Sequence, residues 1–153
     1  MTRLSGLRRP ILGTRTAVGS VSGAVVVVPM TAVDRRRVRR RLRAPDGEEL
    51  LLALPTGTVL TPGSVLEVRG GVSYVVGATP EDVAAIRPRD LPEAAAVAHA
   101  VGNLHRDFVA SGEDGVFLAL WDAPLELLLS RLGVPFTREE RPFSGRPAWE
   151  HES

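Results

Sequence analysis

Asp90-Leu91-Pro92-Glu93-Ala94-Ala95-Ala96-Val97-Ala98-His99-Ala100-Val101-Gly102-Asn103-Leu104-His105 is where the chain changes rhythm. Asp90 and Glu93 form a capping-box-like pair at a helix start. Ala94, Val97, Ala98, Val101 and Leu104 then recur at helical spacing. Gly102 and Asn103 are residues that tolerate a left-handed or irregular exit. The helix therefore stops at His105, with the imidazole free to reach a ligand. Imidazole suits nickel, copper and zinc. A lone His is more often an ordinary surface residue than a ligand, so the reading depends on its surroundings.

Downstream, Asp107 to Ser111 and Val116 to Trp121 read as two strands joined by Gly112-Glu113-Asp114-Gly115. Asp122 can cap a second helix with Pro124 in its first turn. Leu125, Leu128, Leu129 and Leu132 form the apolar stripe of that helix, Gly133 stops it, and Phe136 to Arg141 reads as a final strand. Just upstream, Thr79-Pro80-Glu81 has the look of a helix start, and Val83 to Arg87 is ambiguous by itself.

Further upstream the pattern is strands and turns. Ala24 to Val28 is a continuous apolar run dominated by valine, the mark of a buried strand. From Arg35 to Arg43 every odd position is Arg, and the even positions include Val38 and Leu42. At period two this is a strand with one charged and one mixed face. Pro45-Asp46-Gly47 is a turn, and Glu48 to Leu54 returns with Leu50, Leu52 and Leu54 on one face. Glu48 or Glu49 could face the arginines across this hairpin. Pro55-Thr56-Gly57 and Thr61-Pro62-Gly63 are further turns. Ser64 to Arg69 and Val72 to Val76 form a second hairpin about Gly70-Gly71. A small β-domain ends near Ala78.

The chain has 153 residues, enough for one domain or two small ones, and 44% of them are hydrophobic, ordinary for a globular protein. No Cys is present, which excludes disulfides, zinc ribbons and thiolate metal sites. Any metal must use imidazole, carboxylate or backbone oxygen. All 19 basic residues are Arg, yet the net charge is only +1. That balance argues against a dedicated nucleic-acid binder, and no aromatic is interleaved with the Arg run as a stacking platform. The run can instead dock an acidic partner, through Arg37, Arg39 and Arg41 above all, or be a solvated strand face balanced by Glu48 and Glu49. No Gly-x-Ser-x-Gly elbow or phosphate-cradling loop supports an enzyme. No apolar run reaches membrane-spanning length. The basic stretch Met1 to Thr16 is expected to be a flexible extension rather than a signal peptide, and the protein to be cytoplasmic.

Asp34 to Arg41, Asp46-Gly47-Glu48, Gly57 to Leu66, Val76 to Val83, Gly102-Asn103-Leu104-His105, Asp122 to Glu126 and Arg141-Pro142-Phe143 occur in an order and spacing that resembles the urease accessory protein UreE family, over about residues 17 to 149. Members of that family are nickel metallochaperones of urease maturation. The resemblance implies an α+β fold: an N-terminal all-β domain over residues 17–78 that binds partners or peptides, and a ferredoxin-like (βαββαβ) domain over residues 79–149 that dimerises and binds metal. A tail, residues 150–153, follows. The resemblance also implies a strand after Thr79. The element order strand, helix, strand, strand, helix, strand agrees with the ferredoxin-like pattern.

In the family the last His of a His-Leu-Gly-Asn-Arg-His motif is the main metal ligand, and His105 falls on it. The first His of the motif falls on Ala100 and its Arg on Leu104. Ala123 stands where some members carry a further His. His99 is one position early; on a helix it lies about 240° from His105, measured one way round, so the two cannot share an ion unless the helix breaks. The family joins equivalent His residues of two chains near a twofold axis, which turns one His per chain into a pair. Many members add ligands from a His-rich tail, of which this chain keeps only His151. The implied cargo is Ni(II), with Zn(II) or Cu(II) able to bind in vitro. The implied partners are a second copy, apo-urease and other urease accessory proteins including the maturation GTPase, with no nucleic acid or membrane. The alternative is a non-metal adaptor that docks on urease-maturation proteins.

Overall fold

A computed structural model describes residues 9–14 and 23–147. The chain divides into two compact units between Gly77 and Ala78.

In the first unit β1 (Ala24–Met30), β4 (Val65–Arg69) and β5 (Val72–Ala78) form a sheet in the order β1-β5-β4. A hairpin of β2 (Arg39–Arg43) and β3 (Glu49–Ala53) pairs in antiparallel register from Arg39 opposite Ala53 to Arg43 opposite Glu49. Ile11 adds a parallel bridge beside Leu52. Val28, Met30, Leu42, Leu50, Leu52, Leu54, Leu60, Leu66, Tyr74 and Val76 share one core. The Tyr74 hydroxyl donates to Asp46 Oδ2 at 2.6 Å, which fastens the β2–β3 turn. That bond holds the Asp46 carboxyl below its ordinary pKa and pushes the Tyr74 phenol up to about 12.

Two expectations need correction here. The valine run of β1 is not buried throughout: Val28 and Met30 face the core, while Val25 and Val27 are 47% and 54% exposed. β1 lies at an edge of its sheet, so a β-branched run reports strand and not burial. The strand expected from Arg35 is also too long. Asp34–Arg36 is a 3-10 turn, in which Thr31 and Asp34 exchange side-chain-to-backbone bonds. Arg35 turns inward, 2% exposed, and its Nη1 donates to the Met30 carbonyl at 2.8 Å. A local Asp-Thr turn thus overrides the period-two charge pattern.

The second unit is built as β6 (Pro80–Ile86), α1 (Leu91–Asn103), β7 (Val109–Ala110), β8 (Phe117–Leu120), α2 (Ala123–Leu132) and β9 (Phe136–Pro142). Its sheet runs β7-β8-β6-β9 with every neighbouring pair antiparallel. Thr79-Pro80-Glu81 therefore opens a strand, not a helix: β6 pairs with β9 along its whole length and with β8 from Val83 to Ile86, and its last four residues are buried. The strand expected from Asp107 to Ser111 shrinks to the two residues of β7. Val97 and Val101 of α1, Leu125 and Leu129 of α2, Ala84 and Ile86 of β6, Ala119 and Val134 form the second core. Burying each of the two leucines contributes about 1.5–3 kcal/mol. Leu132, expected in the stripe, is 41% exposed, because α2 ends there.

Candidate metal centre

Asp90 caps α1: its Oδ1 accepts from the Glu93 backbone N–H at 2.8 Å. The reciprocal half of the expected capping box is displaced by one residue, since Glu93 Oε1 accepts from the Arg89 backbone N–H at 2.9 Å. The Arg89 guanidinium grips the same carboxylate, with Nη2 2.6 Å from Oε2, and also donates to the Gly133 carbonyl at 3.1 Å. Its hydrogen bonds hold the Glu93 carboxyl below the usual glutamate range.

The other end of α1 decides where His105 sits. The His105 N–H donates to the Gly102 carbonyl at 2.9 Å, and the Arg106 N–H reaches the Val101 carbonyl at 3.3 Å. These are the two bonds of a Schellman C-terminus, a motif that places one residue in the left-handed region. That residue is His105 itself, at φ 56°; among the described residues it alone is left-handed without being glycine. The sequence reading placed the exit at Gly102 and Asn103, but both lie inside α1. The motif closes three residues beyond Gly102, because Val101 is the last buried anchor of the helix and its carbonyl takes the closing bond.

His105 is exposed, while the chain just beyond it is held. Arg106 pairs with Asp122 at 3.0 Å, its side chain only 15% exposed. Asp122 in turn caps α2 by accepting from the Leu125 N–H at 2.8 Å. Asp107 is gripped by Arg146. The imidazole is thus presented to solvent between the last turn of α1 and two ion-paired residues. Nothing in the sequence marked Arg106, Asp107 or Arg146 as supports, because their partners lie 16 and 39 residues away.

His99 is exposed on α1, with Nε2 3.2 Å from Asn103 Nδ2. Ala123 is the exposed first residue of α2. His151 lies outside the described residues. Among the described residues no group of three or more His, Asp or Glu is placed to hold a metal.

In the first unit Arg37, Arg39, Arg41 and Arg43 are exposed and alternate along the chain. Arg41 Nε stands 3.3 Å from Glu49, while Arg40, on the opposite side, pairs with Asp34 at 3.0 Å. Burial tends to raise the Asp34 carboxyl pKa, but hydrogen bonds from Thr31 and the charge of Arg40 outweigh it, and the net shift is downward. No helix among the described residues is long and apolar enough to cross a membrane.

Residues 10–79 match the family model described as UreE urease accessory protein, N-terminal domain. The whole chain is similar to the urease accessory protein UreE of Deinococcus radiodurans, 69% identical over 99% of either chain. It is also similar to the proteins of that name from a Synechococcus strain, 53% identical over 83% of this chain and 84% of the relative, and from Geobacillus kaustophilus, 31% identical over 86% and 87%. On matches of that extent, the chain belongs to the UreE family of urease accessory proteins.

Proposed function

We propose that this protein acts in urease maturation as a homodimeric carrier of Ni(II), with His105 as its central ligand. The observation that carries the reading is the backbone at His105. A non-glycine residue held left-handed at an exposed helix end, between the last turn of α1 and two ion-paired residues, is a place where local strain serves a task other than folding. The element and strand order of the second unit supports a ferredoxin-like domain. A twofold contact near the end of α1 would bring two His105 residues together, and His151 would add further imidazole from the tail. A carrier must also release its cargo, and a site of few, exposed ligands suits that need. The first unit would dock apo-urease or another accessory protein, such as the maturation GTPase, through Arg37, Arg39 and Arg41.

Equilibrium dialysis against Ni(II) tests the reading. The wild type should hold one tight ion per dimer, and His105→Ala should lose it. Retention of tight nickel by His105→Ala would overturn the shared site. Zn(II) and Cu(II) should compete, Cu(II) the more strongly.

The adaptor reading is favoured by one observation: the described residues contain no three-ligand cluster. It predicts that His105→Ala still supports full urease activation at limiting nickel. Charge reversal at Arg37, Arg39 and Arg41 should weaken docking and its salt dependence under either reading, and leave nickel binding intact.

A further inference from the structure

The dipeptide Asp-Gly occurs twice in the chain, at Asp46-Gly47 and Asp114-Gly115, each in a turn between two strands. At Asp-Gly a backbone can react with its own side chain. The amide nitrogen of the glycine attacks the aspartyl Cγ, and no Cβ on the glycine stands in the way. The two turns hold these reacting groups in opposite states.

At Asp46-Gly47 both groups are engaged. Asp46 Oδ1 accepts from the Glu48 N–H at 3.0 Å, and Oδ2 from the Tyr74 hydroxyl at 2.6 Å. The Gly47 N–H donates to the Ala44 carbonyl at 2.9 Å. The Tyr74 bond above all keeps the Asp46 carboxyl below its ordinary pKa, and an ionised carboxylate is a poor target for a nucleophile. At Asp114-Gly115 neither group is engaged. The Val116 N–H closes the turn on the Glu113 carbonyl at 3.1 Å, with Asp114 and Gly115 at its two central positions. Gly115 is left-handed at φ 73° while Asp114 is not, which makes a type II turn. The N–H between the central residues takes no part in the closing bond of such a turn. Among the described residues nothing accepts from the Gly115 N–H, and nothing donates to the exposed Asp114 carboxylate.

We infer that Asp114-Gly115 is a site of spontaneous covalent modification, where the backbone isomerises through a succinimide to isoaspartate. The Gly115 nitrogen bonds to Asp114 Cγ. The Cγ–O bond breaks, and the oxygen leaves as water with the amide proton and one proton from solvent. Water then adds to either carbonyl of the ring. Opening at Cγ restores aspartate. Opening at the α-carbonyl leaves the chain running through Cβ and Cγ, with the α-carboxylate as the side group. No reactant but water is needed, and mass and charge return to their starting values. The product has one more methylene in its backbone, in the turn that sets β7 against β8. It also presents a carboxylate that an isoaspartyl-specific methyltransferase accepts as substrate. Each hydrogen bond that must break before the ring closes slows the step roughly tenfold. Asp46-Gly47 carries three such bonds, from Glu48, from Tyr74 and to Ala44.

Ageing the folded full chain in warm neutral buffer tests this, with a urea-unfolded sample as reference. Proteolysis and electron-transfer mass spectrometry assign isoaspartate to each site, and enzymatic methyl transfer measures the total. The unfolded chain should convert the two sites at similar rates. Folding should suppress conversion at Asp46 by about tenfold or more, and at Asp114 by less than about threefold. Asp114→Glu would have to close a six-membered ring, so it should remove most of the methyl acceptance of the aged, folded protein. Equal suppression at the two sites, or isoaspartate appearing first at Asp46, would overturn the inference. So would methyl acceptance in Asp114→Glu equal to that of the wild type.

Discussion

α1 and α2 both end where the chain turns left-handed, at φ 56° in His105 and φ 68° in Gly133. Gly133 is the ordinary solution. It has no Cβ, its N–H bonds back to Leu129 at 3.0 Å and Ser130 at 3.3 Å, and the chain moves on to β9. His105 meets the same requirement with a side chain, at a cost of about 1–2 kcal/mol, eased because His tolerates this region better than most residues. The two helices are otherwise stapled to each other alike. Arg106, just past α1, pairs with the cap of α2 at Asp122; Arg89, just before α1, reaches the terminal carbonyl at Gly133. The difference lies in what each end offers to solvent. One end only stops a helix; the other stops a helix and presents an imidazole.

The largest expected effect separates the ends by function. His105→Gly should abolish tight nickel binding, whereas Gly133→Ala should leave it unchanged, as read by dialysis on folded protein. Equal loss in both variants would make the nickel effect one of general destabilisation.

Next in size, the last buried anchors should show that both ends depend on the core before they depend on their caps. Leu129→Ala should cost about 2–5 kcal/mol in urea unfolding, since Leu129 is fully buried. Val101→Ala removes less volume and should cost less. A larger loss at Val101 would mean that the end of α1, not that of α2, carries the unit.

The conformational cost itself is a third, smaller test. A Cβ at Gly133 would meet nothing within 4 Å, so Gly133→Ala isolates the backbone penalty, about 1 kcal/mol. His105→Gly removes the same penalty and should raise stability by up to about 1 kcal/mol while nickel is lost. Opposite signs in the two readouts are what a strained functional residue gives. A destabilised His105→Gly would show that the imidazole contributes packing, and the contrast between the ends would fail.

These ends also show how far the sequence could be read. Gly133, Asp90 and Asp122 were legible because capping is local: the residue and its partner lie within a few positions. Resemblance marked His105 as an expected ligand, but nothing in the sequence marked it as the left-handed residue. That depended on where the last anchor, Val101, met the core. The Asp107–Arg146 and Arg106–Asp122 pairs were silent, since ion pairs between distant segments leave no period in the sequence. The same limit explains Arg35. In the pattern it was one arginine in an alternating row, and only the turn made by Thr31 and Asp34 sends it inward. Nor could a valine run tell an edge strand from a buried one, because β1 at an edge and β5 in the middle carry similar residues.

The smallest effect lies at the starts of the helices, and it depends on pH. Glu93 is bonded by Arg89 through the guanidinium and the backbone N–H, and its folded pKa lies below the ordinary glutamate value. A depressed carboxylate pKa contributes stability that is present above the unfolded pKa, about 4.3. That stability is lost as pH falls through the folded value, because the unfolded chain then binds the proton more readily. The wild type should therefore lose more stability than Glu93→Gln as pH drops below about 5, and the gap between them should close in acid. The Asp90 cap is retained in Glu93→Gln, since its donor is a backbone N–H, so the variant isolates the carboxylate. Added salt should shrink the gap, as the pair is open to solvent. The same Arg89 also holds the Gly133 carbonyl; when Glu93 is protonated, that staple loses its anchor and the end of α2 should loosen with the start of α1. Hydrogen exchange at Gly133 and at Ala94, measured across the acid range, reads the two together. Exchange that rises at Ala94 alone would show that Arg89 serves α1 and that the staple to α2 is incidental.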